Sequence, residues 1–129
     1  MKYFLFLSAI FVLTVAAQKC GSGAKSQEPI VYKAKLETKA ICMNYTLRLT
    51  EGKLDTSLIV ADWTDESTQK SYKNVFALGN PCNFPSSIQQ GDEFSFVIDS
   101  IRKPEQCLVC MAYYPTPPKK LFITVINPK

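Results

Sequence analysis

Between residues 41 and 50 the chain alternates without a break. Ile41, Met43, Tyr45, Leu47 and Leu49 take one parity, and Cys42, Asn44, Thr46, Arg48 and Thr50 the other. A strand turns successive side chains to opposite faces, so this stretch predicts a half-buried strand with its apolar row toward a core. The same period of two runs through residues 30–38, where Tyr32, Ala34 and Leu36 oppose Lys33, Lys35 and Glu37. It returns at 94–99, where Phe94, Phe96 and Ile98 alternate with Ser95, Val97 and Asp99. Glu51-Gly52 supplies a turn, and 54–63 reads as a strand with apolar residues on both faces at Leu58, Ile59, Val60 and Ala61, as in the middle of a closed sheet. Residues 64–73 are polar and turn over; 74–78 form a short apolar strand ending in the loop Gly79-Asn80-Pro81-Cys82. One helical turn is expected at 86–90, a strand at 107–114, an extended proline-rich loop at 115–120 and a last strand at 121–126. Six or so short strands, with no repeat and no long helical periodicity, predict an all-β domain: a small antiparallel barrel or sandwich.

A different pattern precedes these strands. Behind Lys2 an apolar run extends from Tyr3 through Ala17, with small residues Val15 and Ala17 where a signal peptidase inspects. The run is shorter than the roughly 20 residues a spanning helix needs, so it reads as a secretory signal peptide, with no stable membrane insertion. Residues 18–129 are then expected to form one secreted, extracellular domain beginning at Gln18, with an irregular arm or a short helical turn over 20–29 fixed by Cys20. In an oxidising compartment the cysteines become structural staples, each bridge worth about 2–4 kcal/mol to a domain of this size.

Charge changes the picture little. Fifteen Lys and Arg against eleven Asp and Glu give a net +4, which permits attraction to acidic glycans but falls short of a dedicated nucleic-acid binder. Histidine is absent altogether, which removes Ser-His-Asp triads, Cys-His nucleophiles and the usual zinc hydrolase sites. The acidic pairs Asp65-Glu66 and Asp92-Glu93 do not make a matched acid and base, since neighbours on a strand diverge, and they read as solvated turn charges. A protein that is not an enzyme and carries no cofactor is expected.

Cys107-Leu108-Val109-Cys110 has the spacing of a redox pair or a zinc knuckle. No second Cys pair and no His accompany it, and residues three apart on a strand face opposite ways, so the two thiols more naturally reach two different partners. The five cysteines Cys20, Cys42, Cys82, Cys107 and Cys110 allow fifteen two-bridge arrangements, five choices of odd thiol times three connectivities. One thiol remains, free to join a second chain into a dimer; Cys42, on the polar face of its strand, is a candidate for it. Asn44-Tyr45-Thr46 is an N-glycosylation acceptor with Asn44 on the expected outer face. Lys33 and Lys35, with Lys119-Lys120 and Arg102-Lys103, would make a patch for a sulfated glycan, or merely solvated lysines that protect a sheet edge. Tyr113 and Tyr114 lead into a stiff proline loop, which suits either a contact surface or packing over an open barrel end.

A Cys soon after the cleavage point, the strand Val31-Tyr32-Lys33-Ala34-Lys35, a Cys ahead of Gly91-Asp92-Glu93-Phe94, and a late Cys together resemble the netrin-like domain. Within that family the chain is similar to small netrin-like excretory-secretory proteins of hookworms. The resemblance implies an OB-like barrel that binds host proteins or glycans and modulates host defence. It also implies a bridge from Cys20 to Cys82. The metalloproteinase inhibitors of the family begin with Cys-x-Cys, whose first amino group chelates zinc; here Cys20 is followed by Gly21-Ser22 and preceded by Gln18-Lys19, so that activity is the alternative rather than the expectation. A small lipid-carrying β protein is a third reading.

Overall fold

The computed structural model describes residues 28–126 except 103 and 109. The expected signal peptide, the expected start at Gln18, Cys20 and most of the arm lie outside the described residues, as does Lys103. Seven strands follow in order: β1 Tyr32–Lys39, β2 Tyr45–Glu51, β3 Val60–Thr64, β4 Ser71–Leu78, β5 Glu93–Ile98, β6 Lys120–Leu121 and β7 Ile123–Ile126. They lie in the order β3-β4-β2-β1-β5-β7, with β6 added to β4. All pairings are antiparallel except that of β4 with β6. The fold is therefore all-β, with only two short 3-10 turns among the described residues, Ile41–Met43 and Pro81–Asn83.

Alternation explains the inner face. Ala34 and Leu36 of β1, Leu47 of β2, Phe76 of β4 and Phe94 and Phe96 of β5 are buried together. Leu78 of β4 joins them, and Leu54, Ile59, Ile88, Leu121 and Ile123 complete the cluster from the loops and the last strands. Each large side chain so buried contributes about 1.5–3 kcal/mol relative to exposure, which is the main force holding the sheet curled. Across the outer face the charges answer one another. Lys33 Nζ lies 2.7 Å from Glu51 Oε1, Arg48 Nε lies 2.6 Å from Glu37 Oε1, and Lys35 stands opposite Glu93 in the β1–β5 register.

Several expectations are corrected. The alternation over 41–50 is not one strand. Cys42 and Met43 take left-handed backbone angles (φ 55° and 57°), and the chain turns at Ile41–Met43 before β2 starts. Ile41 is consequently exposed, while Thr46, predicted to face outward, is fully buried. Over 54–63 the first half is a loop, because the Asp55 carboxylate accepts the Ser57 N–H at 2.7 Å and Leu58 N donates to Asp55 O. Only Val60–Thr64 pairs, as an edge strand. β4 begins earlier than the apolar run suggests, at Ser71, because the β3–β4 register carries Thr64 opposite Ser71. Residues 86–90 form turns rather than a helix, and the described residues of 107–114 are not in a strand.

The closed barrel is also corrected. The terminal segment splits at Phe122: β6 pairs with β4 over two residues, and β7 pairs with β5. No single strand carries both ladders, so the sheet is curled but not closed into a barrel. A short seam ties its sides together. Ala77 N donates to Lys119 O, Gly79 N to Leu121 O, and the Asn80 side chain both donates to Ile123 O (2.7 Å) and accepts from Ile123 N (2.9 Å).

Candidate functional site

The segment between β5 and β6 belongs to no ladder but is held at several points. Cys82, in the 3-10 turn after β4, bonds to Cys107, and Cys42, in the turn before β2, bonds to Cys110. Cys42 is thus not the odd thiol, and the partner of Cys82 is Cys107 rather than Cys20. The Cys-x-x-Cys pair does reach two different partners. These bridges close separations of 68 and 25 residues, about 4 kcal/mol each on the chain-entropy argument. A third anchor comes from Asn44, whose Nδ2 donates to Ala112 O at 3.2 Å and to Ile41 O at 3.0 Å. The fourth is Tyr114, whose hydroxyl lies 3.3 Å from Ser67 Oγ and 3.5 Å from Asp65 Oδ2.

Between the anchors at 107, 110, 112 and 114, the described residues Leu108, Met111 and Tyr113 face solvent. Leu108 is 100% exposed, Met111 98% and Tyr113 81%. Three large apolar side chains displayed within six residues, on a stapled ribbon, are the surface among the described residues that stability least explains. Ile101, earlier in the same segment, is also exposed, whereas Arg102 lies over the Phe122 ring at 4.8 Å. The two tyrosines divide the roles that the sequence left open: Tyr113 is presented outward, and Tyr114 packs down as an anchor.

Asp65 corrects the reading of its pair as solvated charges, since it is buried. Its Oδ1 accepts both the Ser67 N–H (2.8 Å) and the Ser67 hydroxyl (2.6 Å), closing the β3–β4 turn that Tyr114 leans on. Burial raises its pKa, and the hydrogen bonds from Ser67 and Thr68 more than offset this, holding the carboxyl below the ordinary carboxylate value. It is therefore a charged structural anchor, not a proton donor.

Of the lysines that the glycan-patch alternative would combine, two already have partners. Lys33 is paired with Glu51, which raises its pKa by hydrogen bond and charge. Lys119 Nζ is turned onto the carbonyls of Thr56 and Ile59 in the loop before β3. Lys35 is half-buried between Arg48 and Glu93 in the strand registers, and Lys120 is exposed on β6. Among the described residues no group of three or more His, Cys, Asp and Glu is arranged to hold a metal ion. No described helix is long and apolar enough to cross a membrane.

Sequence reasoning missed Leu108 and Met111 as surface residues because an apolar run beside cysteines reads as a buried strand. Their position next to Cys107 and Cys110 was the available signal. Compared with known proteins, the chain matches no family model, and no curated protein or solved structure is significantly similar to it.

Proposed function

We propose that this is a secreted, non-enzymatic binding protein of netrin-like type that engages a protein partner, in the manner of a parasite product acting on its host, through the ribbon bearing Leu108, Met111 and Tyr113. The observation that carries the reading is the fixation of a solvent-facing apolar ribbon by two disulfides and two polar anchors. A pre-ordered backbone loses little entropy on docking, and exposed Leu, Met and Tyr gain most from being covered. The netrin-like part is supported by the order of pairing: β1 with β2 and β5, β2 with β4, β5 with β7, and a parallel contact between β4 and the terminal segment. That order suits a partly open Greek-key barrel of the OB type.

Protein is favoured over a sulfated glycan because Lys33 and Lys119 already have partners. The lipid-carrier reading is disfavoured by an interior filled with Phe76, Phe96, Leu36 and Leu47; a cleft of about 500 Å³ lined by Ile30, Tyr32, Val97 and Ile98 lies at the surface. Metalloproteinase inhibition loses the anchor the analogy requires, since the Cys82–Cys107 bridge takes the partner that the resemblance gave to Cys20.

The test is a surface-immobilised panel of host extracellular proteins, read by biolayer interferometry, with wild type and a Leu108→Ser/Met111→Ser/Tyr113→Ser variant of unchanged melting temperature. A partner held by the wild type and weakened at least tenfold by the variant supports the reading. Equal binding by both would move the contact elsewhere, retention on heparin at physiological salt would favour the glycan, and loss of a wild-type dimer in the variant would make the ribbon a self-association surface.

A further inference from the structure

The acceptor Asn44-Tyr45-Thr46 survives folding as a sequence but not as a site. Asn44 follows the 3-10 turn Ile41–Met43 and is only partly exposed. Its backbone N–H donates to Ile41 O at 3.2 Å, and its own carbonyl accepts from Ala40 N at 3.1 Å. Its side-chain nitrogen faces two carbonyl oxygens, Ile41 O and Ala112 O. Both neighbours are acceptors, so the amide NH₂ and not the amide oxygen must point at them, and both of its hydrogens are used. Thr46, whose hydroxyl completes the acceptor, is fully buried in β2, and its Oγ1 has no hydrogen-bond partner. Two residues before Asn44 stands Cys42; two residues before Ala112 stands Cys110, and these cysteines are bonded. The bridge and the Asn44 amide thus close the same joint between the turn and the ribbon.

N-glycosylation forms a bond from Nδ2 to the anomeric carbon of a glycan, breaks that carbon's bond to a diphosphate-linked lipid carrier, and releases one Nδ2 proton. The product nitrogen keeps a single hydrogen. It can satisfy Ile41 O or Ala112 O but not both, and the sugar must occupy the space of the acceptor it replaces.

We infer that glycosylation of Asn44 and closure of the Cys42–Cys110 bridge are mutually exclusive. Asn44 accepts a glycan only on chains whose bridge has not formed, and a chain glycosylated first carries a ribbon undocked at Ala112. The inference rests on passage through a eukaryotic secretory pathway and not on the identity of any binding partner.

The full chain is expressed in a secreting animal-cell line as wild type, as Cys42→Ser/Cys110→Ser, and as Asn44→Gln for reference. Medium and cell-retained chains are both analysed by intact mass before and after enzymatic deglycosylation, with non-reducing peptide maps. Retained chains report even when the double variant fails to fold, because the transfer needs no native structure. The expected result is at least fivefold higher glycan occupancy in the double variant than in the wild type, with any glycosylated wild-type chain lacking the bridge. Glycan and bridge found together in one wild-type molecule would overturn the inference. So would a double variant as bare as the wild type, because folding would then not be what protects Asn44. Neither outcome bears on whether the ribbon binds a protein.

Discussion

Asp65 and Asn80 show how single polar side chains hold this sheet in places where backbone pairing stops. Asp65 to Ala leaves the Ser67 N–H and hydroxyl without an acceptor in a buried turn, a loss expected to cost about 2 kcal/mol; Asp65 to Asn keeps one acceptor and should cost about 1 kcal/mol. The sign of the pH effect follows from a carboxyl whose folded pKa is lowered. Its stabilisation is complete above the ordinary carboxylate value of about 3.9 and is lost as pH falls through the lower folded value. Thermal melts from pH 7 down to pH 2 should therefore show the wild type converging on Asp65→Asn at the acid end, and a constant gap throughout would show that the charge plays no part. Asn80 replaces a piece of strand, its amide bonding both the N–H and the C=O of Ile123. Asn80→Ala leaves both unpaired in a buried setting, and urea denaturation should register a loss of about 2–3 kcal/mol. Neither role is legible in the sequence, because Asp-Glu and Asn-Pro both read as turn residues and nothing local reports what lies across the fold.

At the scale of elements, the seam between β4 and the terminal segment and the stapled ribbon before it are the parts most exposed to single changes. A Cβ placed on Gly79 would sit 2.9 Å from Leu121 O and 3.0 Å from the Phe122 ring, so glycine is required here by close approach. Gly79→Ala should lower the melting temperature by several degrees, and Gly52→Ala should act similarly, since Gly52 has φ +96° and its Cβ would meet Tyr32. The two bridges have separable effects. Opening Cys42–Cys110 frees the ribbon where Met111 and Tyr113 are displayed, so limited proteolysis of Cys42→Ser/Cys110→Ser should cut first between 108 and 114. Cys82→Ser/Cys107→Ser should leave that half tethered through Cys110 and Asn44, and its first cuts should fall between 100 and 109. The same initial cleavage in both variants would mean that the ribbon is released as one unit.

For the whole molecule, the distribution of surface groups matters more than the net charge. The outer face pairs Lys33 with Glu51, Arg48 with Glu37 and Lys73 with Asp62 across neighbouring strands; the Lys33 and Lys73 pairs are exposed and screened by salt, while the Arg48–Glu37 pair is partly buried. Retention on a heparin column should therefore be weak at physiological ionic strength, despite the excess of lysine. Strong retention surviving to about 0.5 M salt would require a basic surface that these pairings do not leave. The apolar ribbon is the opposite case. It adds nothing to the fold, so replacing Leu108, Met111 and Tyr113 by serine should leave the melting temperature within about 2 °C of the wild type.

The sequence by itself determined the class and most of the inner face. Period-two patterning selected Ala34, Leu36, Leu47, Phe94 and Phe96 for burial, because a pleated strand with one wet side admits no other assignment. It also indicated that Cys107 and Cys110 would seek separate partners. Tertiary structure alone decided which partners, since pairing depends on which turns the sheet brings within reach, and the left-handed angles at Cys42 and Met43 that break the cleanest alternation have no local signature. It decided, too, that Leu108 and Met111 face water and Asp65 does not. Burial is settled by what packs on the other side, and a chain read one residue at a time carries no record of that.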